Sequence, residues 1–214
     1  MADNFKLLSR NRVAYYPYVE PEQGAGSGLL RALADKACVV VTDDYPAFFI
    51  PRMIEAASRK LTVLLEAVDS NGLIPLSQHE KVYSSAHHFR RFIHGTLQEN
   101  SMDLPRKRPL AGRRLPTIEG LPTDVIREWE PTDLGDLKVC ANLIARLPID
   151  HGVQPAAIKG GRAAGLAALK SFVETRLQYY GEERNLPEED ATSGLSPYMH
   201  FGHLSVHEIA HAVL

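Results

Sequence analysis

The 214-residue sequence predicts an α/β domain built on a parallel sheet, followed by a connecting stretch and a helical region. Three observations predict it. Apolar, β-branched runs alternate with helical patterns over the first seventy residues, as in a parallel sheet covered by helices. The run Cys38-Val39-Val40-Val41 is continuous rather than alternating, as expected for a strand buried on both faces. Beyond Gly160 the apolar residues fall at i, i+3 and i+4, the spacing of an amphipathic helix.

The elements follow in order. Strands are predicted at Val13 to Val19, Ala37 to Thr42 and Leu61 to Val68, each bounded by turn or charged residues. A Gly-rich entry leads into a first helix at Gly28 to Ala34. A second, Ala47 to Arg59, places Phe49, Met53, Ile54 and Ala57 on one face. Pro51 is tolerable there only in the first turn, so the helix proper begins near Ile50. A third helix is expected from Ala86 to about Leu97. Pro105, Pro109, Pro116, Pro122 and Pro131 then punctuate a stretch of weak periodicity, with a short helix within Leu134 to Leu147. Leu166, Leu169, Phe172, Val173, Leu177 and Tyr180 form one helical series. A polar loop from Gly181 to Ala191 precedes a helix start near Ser196-Pro197. The organisation is therefore residues 1–100 as the α/β part, 101–155 as linker and 156–214 as the start of a helical domain. No strand occurs in residues 1–10, and the last helix, His207 to Leu214, carries Ile209, Ala210, Val213 and Leu214 with nothing after it to pack on. The chain reads as truncated at both ends.

Composition narrows the function classes. With 44% hydrophobic and 23% charged residues the chain is no disordered segment. A net charge of −2 gives no global attraction to nucleic acid, so any such contact rests on a local patch such as Arg106-Lys107-Arg108 with Arg113-Arg114, which otherwise reads as a solvated basic linker. Cys38 and Cys140 lack any metal-ligand or CxxC spacing and read as reduced thiols of a cytoplasmic protein. No apolar run approaches the length of a membrane span, and Met1 to Asn4 lack a signal pattern.

The segment richest in chemistry is Thr192-Ser193-Gly194-Leu195-Ser196-Pro197. It offers three hydroxyls within five residues, a glycine that admits close approach, and a proline suited to the first helical position after a Ser196 cap. Hydroxyls and free N–H groups at a helix start suit an anionic phosphate, although a plain Ser-capped helix has the same pattern. Three other motifs compete. His207-Glu208-Ile209-Ala210-His211 matches the HExxH pattern of zinc hydrolases, and His203 lies one turn earlier, so three imidazoles would share a helical face. No downstream third ligand of the usual kind follows, and a core or solvated histidine face is the alternative. Gly24-Ala25-Gly26-Ser27-Gly28 fails the dinucleotide pattern because Leu29 stands where its last glycine belongs, and reads as a turn entering a helix. Asp43-Asp44 reads as a strand-end loop, and Trp129, the single tryptophan, as a packing residue.

Taken in sequence, Tyr180, then Arg184-Asn185-Leu186-Pro187, then Thr192 to Pro197 and Tyr198-Met199-His200-Phe201-Gly202, resemble the DNA photolyase/cryptochrome family. That family carries a Tyr, an Arg-(Asp/Asn)-x-Pro motif and a Thr-Ser-x-Leu-Ser-Pro run leading into a Tyr-Leu-His-Phe-Gly-like helix. Val40 to Pro46 and Val68 to Pro75 are similar to strand-end loops of its antenna domain, most like the class II photolyases and their bacterial relatives. The resemblance implies a Rossmann-like antenna domain, here incomplete, and the opening of an all-α FAD-binding domain. It implies FAD contacts at Tyr180, Thr192, Ser193, Gly194, Leu195 and Ser196, and a DNA phosphate contact at Arg184. The implied activity is that of a deoxyribodipyrimidine photolyase: light-driven electron transfer from reduced FAD splits cyclobutane pyrimidine dimers in DNA. A second antenna chromophore of unidentified kind accompanies that activity in the family. This chain by itself is expected to hold FAD weakly or not at all and to leave DNA unrepaired. Catalytic residues and oligomeric state are not assigned. A cryptochrome-like protein or a flavin-free interaction module on the same scaffold is the alternative, and an HExxH zinc hydrolase the remote one.

Overall fold

The computed structural model describes residues 1–76, 81–101, 104–113, 115–116, 118, 120–134 and 137–214, with the side chains of 98–101 and 137–141 left undescribed. The elements are α1 (Ala2–Ser9), α2 (Leu29–Ala34), β1 (Val39–Asp43), α3 (Ile50–Ser58), β2 (Leu64–Val68), α4 (Ala86–Ser101), α5 (Thr123–Glu128), α6 (Leu137–Arg146), α7 (Arg162–Thr175), α8 (Leu177–Glu183), α9 (Ser196–His200) and α10 (Val206–Val213). β1 and β2 pair as a two-stranded parallel sheet with α3 as their crossover, a βαβ unit of mixed helix and strand. The α3 helix opens at Ile50 with Pro51 in its first turn, where a missing N–H costs nothing.

Two expectations about the sheet are corrected. Val13 to Val19, read as a strand, join no ladder. Pro17 has no N–H to give a neighbour; its carbonyl instead accepts the Thr132 N–H at 2.7 Å. The apolar run Cys38–Val41 is not buried on both faces: Val39 and Val41 are 41% and 59% exposed, and exposure alternates along β1. A two-stranded sheet covers one face at most, so period two replaces the continuous burial of a central strand.

The chain forms two compact units. The first comprises Met1–Val40, Glu55–Glu66 and Leu110–Gly161. Its anchor is Trp129, 7% exposed, whose indole N–H donates to the Ala25 carbonyl at 2.9 Å while its own carbonyl accepts the Tyr16 hydroxyl. Gly28 stands against that ring. A Cβ there would sit 3.3 Å from the indole, and its φ of +94° is one L side chains rarely adopt. Gly28, the last glycine before α2, is thus a seat for an indole. Thr123–Glu128, unremarked in the sequence, folds as α5 and buries Val125 to 1%.

The second unit comprises Val41–Ile54, Ala67–Pro109 and Arg162–Leu214. Its core is Leu169, Phe172, Leu195, Tyr198 and Leu204, with Leu177, Tyr180 and Ile209 packed around it. The single helical series expected through Tyr180 is two helices: Arg176, at φ −123°, leaves the helical region and separates α7 from α8. The break turns Leu177 and Tyr180 onto the same core that Leu169 and Phe172 build. α8 then runs on to Glu183, two residues past the expected start of the polar loop. Gly165 lets this core close, since a Cβ there would meet Leu204 at 3.0 Å and Tyr198 at 3.2 Å. Among the described residues no polar or charged side chain is fully buried, and no helix is long and apolar enough to cross a membrane.

Candidate functional site

The stretch from Asp190 to Ser196 is held by what it buries. Ala191 and Leu195 are 3% and 2% exposed, and Leu195 belongs to the core. Between and beside them Thr192, Gly194 and Ser196 are exposed and Ser193 is half-buried. Burying two apolar side chains that bracket three residues fixes the backbone without using the hydroxyls. The Ser193 hydroxyl accepts the Leu195 N–H at 3.4 Å, and among the described residues no hydrogen bond occupies the hydroxyls of Thr192 or Ser196. Gly194 takes φ +65°, and nothing lies within 4 Å of where its Cβ would stand. The backbone there is open to a ligand's approach.

Ser196 does not cap α9, as the sequence had it; the cap position is Leu195, without a side-chain hydrogen bond, and Ser196 is the first helical residue with Pro197 behind it. Leu195 turns its side chain into the core, so any ligand would meet it only through its backbone.

Tyr180 shares that core. Its ring is edge-on to Phe172, centroids 5.3 Å apart, and the guanidinium of Arg184, the residue that ends α8, lies 5.4 Å from its centre. Arg184 is otherwise exposed. Next to the hydroxyl stretch, Arg176 pairs with Asp190 at 3.6 Å. Ala191, Leu204, Gly165 and Arg176 were missed by sequence reasoning. Only Gly165, a small residue inside an amphipathic series, left a readable signal.

The HExxH motif is accounted for by packing. Glu208 accepts both terminal nitrogens of Arg162, one at 2.9 Å, and closes a capping box with Ser205. The Arg162 hydrogen bonds hold the Glu208 carboxyl below its usual range, and the carboxylate raises the Arg162 guanidinium in return. His211 Nε2 lies 3.0 Å from the Pro105 carbonyl. The expected face of three imidazoles does not form: α10 begins at Val206, so His203 precedes its cap and stacks with Phe201, 6.2 Å between centroids. Among the described residues no group of three His, Cys, Asp or Glu could hold a metal ion.

Asp43 accepts the Ser70 hydroxyl at 2.9 Å and Asn71 donates to the Asp44 carbonyl, a strand-end loop as expected. Cys38 is an exposed free thiol. Arg114 and the Cys140 side chain lie outside the described residues.

No family model matches the chain. It is 25% identical over 197 residues to the deoxyribodipyrimidine photo-lyase of Methanothermobacter thermautotrophicus, covering 86% of this chain and 38% of that protein. It is 48% identical over 63 residues to the deoxyribodipyrimidine photo-lyase of Potorous tridactylus, 29% of this chain and 12% of that protein. Both relatives carry one name. The similarity supports the photolyase family, and the chain spans well under half the length of either relative.

Proposed function

We propose that this chain is part of a photolyase-like flavoprotein, in which Tyr180 and the Thr192–Ser196 stretch hold FAD. One observation carries the reading: hydroxyls and an open glycine are presented to solvent by a backbone pinned through Ala191 and Leu195. A dinucleotide's phosphates and ribose need such groups, namely donors on a fixed backbone and no side chain in the way. The residues fit that end of the cofactor: Thr192 and Ser196 donate, Gly194 admits the ligand's approach, and Tyr180 adds an aromatic wall on the same core. The chemistry such a cofactor supplies is light-driven electron donation to a cyclobutane pyrimidine dimer in DNA.

Arg184 has two roles to divide between them. Its guanidinium rests over Tyr180 and remains exposed enough to meet a DNA phosphate. The similarity to two proteins named deoxyribodipyrimidine photo-lyase supports the same activity class, a lyase acting on pyrimidine dimers. A class II character, a second chromophore and a dimer-containing DNA partner belong to the same proposal.

Titration of FAD fluorescence with the purified chain tests it. Thr192→Val with Ser196→Ala is expected to weaken even a low-affinity quench by about tenfold, one or two lost hydrogen bonds, while leaving the thermal midpoint unchanged. A quench that the double variant leaves untouched would sink the flavin assignment.

A further inference from the structure

A cationic site lies at the start of α4, remote in sequence from the hydroxyl stretch. Lys81, Val82, Tyr83, Ser84, His88 and Arg91 line an open cavity of about 380 Å³. That volume lies within the range of small-ligand pockets, roughly 300–1,000 Å³. Among the described residues, every charged side chain on its wall is basic. From Lys81 to Gln98 the sequence holds Lys81, Arg90, Arg91 and three histidines and not one carboxylate. Among the described residues neither Lys81 nor Arg91 forms an ion pair.

The wall is also held in place. His88 Nδ1 lies 2.9 Å from the Ser85 hydroxyl and 3.4 Å from that of Ser84. A hydroxyl that donates to Nδ1 leaves the ring proton on Nε2, which then serves as a donor to a ligand. Ser85 in turn accepts the His88 backbone N–H, tying the turn to the helix. Tyr83 is fixed from behind by Phe89 and Phe92, with centroids 5.3 and 5.4 Å away. His88 and Arg91 are three residues apart on one helix and so share a face. Two cations without an ion pair among the described residues, an imidazole and a fixed aromatic ring converge where the positive end of a 16-residue helix adds to the field.

We infer that this cavity binds a phosphate-bearing ligand, with Lys81 and Arg91 as its charge partners, His88 as a donor and Tyr83 as a planar wall. The site stands on residues remote in sequence from Tyr180 and Thr192–Ser196, so it neither needs nor supports the flavin reading. Phosphate could arrive on a free nucleotide or on a nucleic-acid backbone, and the test separates the two.

Binding of ADP and of an undamaged 20-base-pair duplex to the purified chain is measured by calorimetry and anisotropy, for the natural chain and for Arg91→Glu and Lys81→Glu. Both variants are exposed, and Lys81 lies outside the helix, so circular dichroism is expected to stay unchanged. Loss of about ten- to a hundredfold in ADP affinity in both variants supports the site with a free nucleotide as the source, the size expected for one charged hydrogen bond. The same loss for the duplex, with no ADP binding, supports it with the backbone as the source and adds a salt dependence. Binding of either probe that both charge reversals leave intact, or no binding of either at millimolar concentration, overturns it.

Discussion

Two loops of the second unit are fixed by different balances of the same means. After β2, residues 69–76 bury one apolar side chain, Ile74, and use their polar groups on one another: Asp69 accepts the N–H groups of Asn71 and Leu76, Ser70 donates to Asp43, and Asn71 donates to the Asp44 carbonyl. Residues 191–195 are held by Ala191 and Leu195 in apolar surroundings, with their hydroxyls left to solvent. A loop that satisfies its polar groups locally has a fixed shape and little left to offer a ligand. A loop fixed through its apolar side chains keeps its donors. That difference, more than the count of hydroxyls, marks 191–196 as the candidate site.

The sharpest way to break this contrast is Leu195→Ala. Removing a fully buried leucine costs about 2–5 kcal/mol, the lost transfer energy together with the cavity left behind. The denaturation midpoint is expected to fall accordingly, and FAD quenching to fall with it, although no hydroxyl has been touched. Unchanged stability would show that the stretch is held by something other than its apolar anchors.

Glu208→Gln sharpens the contrast from the polar side, since the Arg162–Glu208 charge pair ties α7 to α10. The pair is expected to contribute about 1–3 kcal/mol as a charged hydrogen bond. The folded Glu208 carboxyl sits below its unfolded value, so its contribution is present above the ordinary glutamate range and is lost as pH falls through the folded value. Stability measured by urea unfolding between neutral pH and pH 3 is therefore expected to fall more steeply in the natural chain than in the variant. Parallel curves would assign no such role to the pair.

Asp69→Ala gives the smallest effect of the three. It removes the acceptor of the Asn71 and Leu76 N–H groups in a largely half-buried loop, for a loss of about 1 kcal/mol by denaturation, with FAD quenching unaltered. A loss of quenching here would mean that the two loops act together, and the contrast between them would fail.

Much of this was legible in the residues. The α3 start at Ile50, the strands near Val39–Asp43 and Leu64–Val68, and α4 from Ala86 follow from period and turn chemistry, which act over a few neighbours. The break at Arg176 was not, because Leu166 through Tyr180 keep helical spacing across it; contact with Phe172 and Leu195 decides that the chain turns there. Val13 to Val19 misled for the same reason. Its composition suits a strand, but strand pairing requires a partner edge, and Pro17 offers its neighbour Thr132 only a carbonyl.

The residue string from Tyr180 to Gly202 determined by itself which family this chain resembles and which side chains could meet a cofactor. Only the tertiary structure decided what each of them is free to do. Leu195 is drawn into the core, Ser196 is released from capping, and Glu208 is taken from an HExxH pattern by Arg162 46 positions away. Hydrogen-bond capacity is written in the residue type, but whether it is spent depends on neighbours that are distant in sequence and close in space.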